Sequence, residues 1–138
     1  MTADGASSLK HAELTDTILN AFYKVYNTLG AGFLEKVYEN ALSVELRRRG
    51  LTVIQQAPIE VYYEGVVVGE YVADVVVEQK VIVEVKAAEA LAPQHEAQLL
   101  NYLRGTSIDV GLLLNFGPKP EFKRKVYDVA RKESVRNS

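Results

Sequence analysis

Residues 74–86 read DVVVEQKVIVEVK, and this stretch decides the fold. Its valines and isoleucine predict two strands, separated by a short polar turn. The same strands carry Asp74, Glu84 and Lys86. Charged groups beside an apolar interior cost several kcal/mol unless they are paired, hydrated or bound to an ion. The stretch therefore predicts a hairpin that carries a functional site.

The whole chain has the size and composition of one cytoplasmic domain. Its 138 residues are 48% hydrophobic, which is enough for a single core, and it contains no cysteine. Its apolar runs are shorter than the roughly 18 residues that span a membrane, and its first residues lack the pattern of a signal peptide. We therefore expect a disordered leader at 1–12, a single domain at 13–132, a polar tail at 133–138, and no membrane association. The net charge of −2 argues against a chain-wide electrostatic attraction to nucleic acid.

Two helices are predicted before the first strand. Thr15-Asp16 supply N-cap chemistry for a helix whose apolar positions recur every three to four residues up to Leu29. After a glycine-rich break, a second helix over about 34–49 is expected to bury an apolar stripe that comprises Leu34, Val37, Tyr38, Ala41, Leu42 and Leu46. Gly50 fits the position that ends this helix.

The remainder of the chain predicts a sheet with one more helix. The expected elements are three antiparallel strands within 52–86, joined by turns at Glu64-Gly65 and Glu78-Gln79-Lys80, a helix over about 93–104, a buried strand over 108–116, and a strand or a terminal helix over 121–127.

The length of the turn between the two charged strands decides whether their carboxylates lie on the same face of the sheet. Alternation along a strand puts Asp74 on the face of Val76, and it puts Glu84 and Lys86 on one face of the next strand. A two-residue loop would leave the two carboxylates on opposite faces, whereas a three-residue loop or a bulge sets Asp74 opposite Glu84. We predict the second arrangement.

Opposed carboxylates on neighbouring strands are a candidate cation site. Their Cβ atoms would lie about 4.5–5.5 Å apart, where the charges repel unless a divalent cation lies between them. Mg²⁺ or Mn²⁺ prefers such hard oxygen ligands. Lys86 would reach the same space, where an ammonium orients a nucleophile or stabilises charge on a phosphate. The alternative is a solvated sheet face on which these three residues pair across strands. Gln98 and Tyr102, which share a helical face, favour the site.

These residues resemble the motif of a nuclease superfamily. Asp74, Glu84-Val85-Lys86 and Gln98-Leu-Leu-Asn-Tyr102 resemble the D…ExK…QxxxY pattern of RecB-type domains in the PD-(D/E)XK superfamily. Gly32-Phe-Leu-Glu35-Lys-Val-Tyr38 resembles the signature of the GxxExxY protein family, which is assigned to that superfamily. The resemblance implies an α/β (α+β), restriction-endonuclease-like fold, with an αβββαβ core and a mixed sheet flanked by helices.

The resemblance also implies a metal site. Asp74 and Glu84 correspond to ligands of Mg²⁺ or Mn²⁺. Glu35 corresponds to the acidic residue that a helix supplies, acting on the metal directly or through water. Glu39, one turn after Glu35, is an alternative for that helical role.

By the same resemblance, Lys86 corresponds to the catalytic lysine, with Gln98 and Tyr102 beside it and Glu35 assisting. We expect a metal-dependent phosphodiester hydrolase whose partner is nucleic acid, with DNA ahead of RNA. The alternative is a non-catalytic module of the same fold that binds a protein or a nucleic acid. An exposed edge strand or an apolar helix face would be compatible with a homodimer.

Overall fold

A computed structural model describes residues 10–127 of the chain. The predicted leader therefore lies outside the described residues except for its last three positions, and the predicted tail at 133–138 lies outside them entirely. No helix in the described part has the length and apolar composition that crossing a membrane requires.

The elements follow one another as the sequence predicts, and the segment left open near the end is a strand. Within residues 10–127 their order is α1 (Ala12–Leu29), α2 (Glu35–Arg48), β1 (Val53–Tyr63), β2 (Val66–Val77), β3 (Val81–Lys86), α3 (Pro93–Gly105), β4 (Val110–Phe116) and β5 (Pro120–Val126).

All five strands form one mixed sheet in the order β1-β2-β3-β4-β5. Neighbouring strands are antiparallel except β3 and β4, which are parallel because α3 carries the chain back along the sheet between them. The prediction of an α+β fold with a mixed sheet flanked by helices is confirmed, and the architecture is consistent with a restriction-endonuclease-like fold.

Helices cover both faces of the sheet and bury two hydrophobic clusters. The first, which we call the α1/α2 cluster, includes Phe22, Tyr38 and Phe116 together with alternate residues of β3 and β4. The second, which we call the α3 cluster, contains Ala57, Tyr71, Ala73, Val76, Ile82, Leu99, Leu103 and Leu113. Removal of these apolar side chains from water drives the helices onto the sheet.

Two helices differ in detail from the prediction. α1 begins at Ala12, three residues before the expected cap, and Thr15 is buried inside the helix, where its hydroxyl donates to carbonyls of the preceding turn. At α2, Leu34 and Val37 are exposed rather than buried. Leu34 is the residue immediately before the helix, and Val37 lies on the solvent side, because one helix presents only one face to the sheet.

The turn between β2 and β3 has three residues, and this prediction is confirmed. Val77 pairs with Val81 and Val75 pairs with Val83. The same register, continued by one pair, sets Asp74 opposite Glu84.

Side-chain alternation breaks at Asp74, contrary to the parity predicted for β2. Ala73 and Val76 both belong to the α3 cluster, although they lie three residues apart. In β1, Gln56 has a φ of 51°, and the β1–β2 register skips the position where Gln56 faces Asp74. A left-handed residue rotates the chain out of the regular pleat, so both strands exchange the faces of their side chains here.

Candidate active site

Two carboxylates meet where β2 separates from β3. The backbone N–H of Asp74 donates to Glu84 Oε2 at 2.9 Å, and the backbone N–H of Val85 donates to Asp74 Oδ2 at 2.8 Å. Regular pairing between the strands ends just before this point, at Val75 and Val83. The two side chains therefore take over the hydrogen bonds of the backbone ladder, and each carboxylate keeps its second oxygen for another partner.

Burial and mutual repulsion make this pair of carboxylates costly. Burial raises the pKa of the Asp74 carboxyl, a backbone hydrogen bond opposes this, and the charges of Glu39 and Glu35 raise the pKa further, while Lys86 lowers it. Burial, followed by the charge of Asp74, raises the pKa of Glu84 to about 7. Neighbouring carboxylates of raised pKa are stabilised by a cation, and such pairs are concentrated at functional sites.

Lys86 lies two residues after Glu84, on the same face of β3. Alternation is regular along this strand, because Val81, Val83 and Val85 all belong to the α1/α2 cluster. The Lys86 charge lowers the pKa of the Glu84 carboxyl, although burial outweighs this effect. Its ammonium forms no salt bridge within residues 10–127. The amine is therefore near the carboxylates and available to a substrate.

α3 brings the predicted polar helix face to the Glu84 side of the sheet. The Tyr102 ring packs against the Tyr71 ring, with the two centroids 3.4 Å apart. Burial, and then the charge of Glu84, raise the pKa of the Tyr102 hydroxyl, while a hydrogen bond with Gln98 lowers it. The structure thus brings Gln98 and Tyr102 to the same side of the sheet as Glu84.

Tyr71 is a residue of this site that sequence reasoning missed. It is buried, and its hydroxyl has no well-formed hydrogen bond within residues 10–127. Burial, followed by the charge of the nearby Glu84, raises the pKa of the Tyr71 hydroxyl. The Tyr71 hydroxyl in turn lowers the pKa of the Glu84 carboxyl. Strict alternation along β2 would place Tyr71 with Val75 on the other face, so the pattern gave no signal for it.

Glu35 is the first residue of α2 and reaches the far end of β3. Its Oε2 accepts a hydrogen bond from the backbone N–H of Ala87 at 3.3 Å. The Tyr38 hydroxyl donates to the carbonyl of Gly30 at 2.5 Å and accepts from the N–H of Phe33 at 3.1 Å. Tyr38 therefore fixes the loop that places Glu35 beside the site.

Glu39, the alternative helical acid, is buried one turn further along α2. Its Oε2 accepts from the Lys36 ammonium at 3.1 Å, and its Oε1 accepts from the Gln56 side-chain amide at 2.9 Å. Its charge raises the pKa of Asp74 more than the charge of Glu35 does. Glu39 thus anchors Gln56, the left-handed residue that faces Asp74.

The oxygen donors that the structure assembles are those of two carboxylates. Within residues 10–127 there is no group of three or more His, Asp or Glu side chains arranged to hold a metal ion. Asp74 and Glu84 are brought together, whereas Glu35 is not grouped with them. A pair of hard oxygen ligands fits a cation that keeps several waters, as Mg²⁺ does, and Mn²⁺ accepts the same ligands. The donor set therefore fits either ion.

The chain is similar to a protein family and to solved structures. A family model described as the PD-(D/E)XK nuclease superfamily matches residues 12–125, from the first residue of α1 into β5. The solved structure titled "Crystal structure of SSO0001" matches with 16% sequence identity and a TM-score of 0.49, over 96% of this chain and 67% of that chain. No curated protein matches the chain.

Proposed function

The chain belongs to the PD-(D/E)XK nuclease superfamily, and from that premise we propose that it hydrolyses phosphodiester bonds of nucleic acid with the help of a divalent cation. The observation that carries the proposal is a pair of hydrogen bonds, in which the Glu84 carboxylate accepts from the N–H of Asp74 and the Asp74 carboxylate accepts from the N–H of Val85. These bonds hold two half-buried carboxylates side by side and leave one oxygen of each for another partner, and the raised pKa values of the two carboxyls make a cation the natural counter-charge.

Asp74 and Glu84 are the residues that would hold the cation, Mg²⁺ or Mn²⁺. When bound, the cation supplies a Lewis acid for the phosphate and lowers the pKa of water so that hydroxide is available near neutral pH. Glu84 releases its proton on binding, because a carboxylate ligates in its ionised form. Glu35, exposed at the start of α2, assists through water rather than by direct contact.

Lys86 is the proposed catalytic lysine. Its free ammonium, on the face of Glu84, orients the attacking water or stabilises the charge that develops on the phosphate. Gln98 and Tyr102 stand on the same side of the sheet and position the phosphate or the lysine. Tyr71 supports Glu84 from within the α3 cluster. We expect DNA ahead of RNA as the substrate.

The finer family assignment is part of the proposal. We assign the chain to the GxxExxY proteins, with the D…ExK…QxxxY motif of RecB-type domains. The contacts of the signature residues support it: Tyr38 bonds both sides of the loop at Gly32, and Glu35 bonds the end of β3. In this interpretation, the signature residues fix the start of α2 against β3, the strand that carries Lys86.

Titration calorimetry with Mg²⁺ and with Mn²⁺ tests the cation site. Wild type is expected to bind either ion, and Asp74→Ala is expected to lose binding. The matched control is Glu60→Ala, which removes an exposed carboxylate from the neighbouring strand and should keep the affinity. Failure of the wild-type chain to bind either ion would overturn the proposal.

Cleavage of labelled single- and double-stranded DNA and RNA tests the chemistry. Wild type is expected to hydrolyse at least one substrate, and Lys86→Ala to lose activity by roughly 100-fold or more while it still binds the cation. Lys80→Ala, which changes an exposed lysine in the β2–β3 turn, is the control. Cation binding without hydrolysis of any substrate would contradict the proposal and would favour a non-catalytic module of the same fold.

A further inference from the structure

A cavity of about 390 Å³ opens directly beyond Lys86. Three short segments form its wall: residues 31–33 before α2, residues 87–89 after β3, and residues 116–118 after β4. The hydrogen bond between Glu35 and the N–H of Ala87 lies at its border. We call it the Phe33 cavity, after the aromatic side chain at its rim. Its wall includes Ala87, the residue that directly follows Lys86 at the end of β3.

Side chains that are buried or partly buried in the core hold all three segments of the wall. The Asn115 side chain accepts from the N–H of Ala88 at 2.9 Å and donates to its carbonyl at 3.0 Å. The Tyr26 hydroxyl bonds the carbonyls of Gly117 and Pro118, at 2.9 Å and 2.8 Å. Tyr38 holds the third segment, as described above. The cavity is therefore preformed, and a ligand would not have to order it.

Two segments of the wall also touch each other closely. A Cβ atom added at Gly117 would lie 2.0 Å from the carbonyl oxygen of Ala88. Only glycine permits this approach, because any side chain would push the segments after β3 and β4 apart. The position of Ala88, and with it one side of the cavity, depends on this contact.

The wall has the chemistry of a surface for a flat, uncharged group. Its described lining contains no lysine or arginine and one carboxylate, that of Glu89, so an anionic phosphate would be repelled rather than bound. Most of the other lining residues are small, and the Phe33 ring is 47% exposed. An edge contact with Tyr38, at 6.0 Å between the ring centroids, holds that ring in place. The volume is at the low end of the range for small-molecule sites, roughly 300–1,000 Å³, as suits a single ring system.

We propose that the Phe33 cavity binds one unpaired nucleobase of the strand whose phosphate is held at Asp74 and Glu84, so that the substrate class is single-stranded nucleic acid or a frayed strand end. The inference rests on the proposed function and extends it. The base stacks on Phe33, and the Glu89 carboxylate accepts a hydrogen bond from an exocyclic amino group. The phosphate next to this nucleotide would lie outside the apolar wall, toward Lys86. A base locked in a duplex is stacked and paired, so it does not reach the cavity.

Binding of fluorescent oligonucleotides to the full chain tests the proposal. The titrations use calcium in place of magnesium, a single strand and a blunt duplex, each as DNA and as RNA, with 2-aminopurine at successive positions of the single strand. Wild type is expected to bind the single strand more tightly and to change the 2-aminopurine emission at one position. Phe33→Ala is expected to weaken single-strand binding roughly tenfold, from the usual contribution of one stacked base, and to abolish that signal.

Two further variants separate stacking from structural effects. Phe33→Tyr keeps an aromatic ring and should restore both the affinity and the signal. Leu34→Ala changes the next residue, which is 80% exposed and does not line the cavity, and should behave as wild type. Duplex affinity should be the same in all four proteins. Equal losses for Phe33→Ala and Leu34→Ala, or equal losses for single strand and duplex, would overturn the inference.

The outcomes also distinguish this inference from the function on which it rests. If wild type hydrolyses nucleic acid and Phe33→Ala binds single strands as well as wild type does, the proposed function stands and the base site is wrong. If the position-specific signal depends on Phe33 and no substrate is hydrolysed, the base site stands and the hydrolytic function is wrong. Comparison of the DNA and RNA titrations shows which backbone the base is carried on.

Discussion

Replacement of Glu84 with glutamine should stabilise the cation-free protein at high pH. The folded chain raises the pKa of this carboxyl from 4.5 to about 7. At about 1.4 kcal/mol per tenfold change in proton affinity, the difference corresponds to about 3 kcal/mol of unfolding free energy. Partial solvation of the site and loss of a charged acceptor for the N–H of Asp74 reduce the expected gain to about 1–2 kcal/mol.

The sign of this effect depends on pH. Below about pH 4.5 the carboxyl is neutral in both the folded and the unfolded chain, and it costs nothing. Between pH 4.5 and 7 the unfolded chain ionises first, so wild type loses stability as the pH rises. Above pH 7 the carboxyl is ionised in both states, and the folded chain bears the whole cost of holding this half-buried charge. Glu84→Gln does not titrate, so its advantage over wild type should appear at pH 8 and disappear at pH 4.5.

Urea denaturation followed by far-ultraviolet circular dichroism measures both effects. The titrations are made at pH 4.5 and pH 8 in EDTA, and again at pH 8 with saturating Mg²⁺. Mg²⁺ should stabilise wild type through mass action but leave Glu84→Gln unchanged. Glu64→Gln, which changes an exposed turn residue, is the control. If Glu84→Gln and wild type agree within about 0.5 kcal/mol at both pH values, the raised pKa and the reasoning about the carboxylate pair are refuted.

Three other outcomes are expected. Mg²⁺ affinity, measured by calorimetry, should fall about tenfold for each pH unit below 7, because Glu84 must release one proton to bind; an affinity independent of pH between 5 and 7 would exclude that coupling. Gly117→Ala should destabilise the fold by about 1–3 kcal/mol in urea, since its Cβ would meet the Ala88 carbonyl; a neutral result would mean that the segments separate freely. Tyr71→Phe should leave the cation-free stability unchanged or raise it by up to about 1 kcal/mol, because its hydroxyl is buried without a well-formed partner; a clear loss of stability would reveal a hydrogen bond.

Local rules were enough to predict the position of the carboxylate pair. Loop length fixes the register of a hairpin, so once a three-residue turn was preferred to a two-residue turn, Asp74 was placed opposite Glu84. Helical spacing likewise placed Gln98 and Tyr102 on one face, and Lys86 followed Glu84 by simple alternation. Each of these relations joins residues close in sequence.

The remaining features depend on contacts between distant segments. Nothing in the sequence around Gln56 requires a positive φ; the conformation is held by the side chain of Glu39, seventeen positions away. Because alternation breaks at Asp74, Tyr71 lies on the α3 face of the sheet. Strict alternation from Val75 would have predicted the opposite face. Threonine is a residue type that favours the N-cap of a helix, yet α1 begins at Ala12 and Thr15 lies inside it. Tertiary contacts here outweigh the weak local preference of Thr15 for the cap position.

Because side chains change face at Asp74, β1 and β2 each contribute residues to both hydrophobic clusters. In β1, Val53 belongs to the α1/α2 cluster and Ala57 to the α3 cluster. In β2, Ala73 belongs to the α3 cluster, whereas Val75 and Val77 belong to the α1/α2 cluster. Detachment of α3 alone would free Ala57 and Ala73 and let the fork between β2 and β3 widen, even with α1 and α2 still docked. The carboxylate pair therefore reports on the cooperativity of unfolding: the protection of α3 amides from hydrogen exchange and the binding of the ion should be lost at the same denaturant concentration.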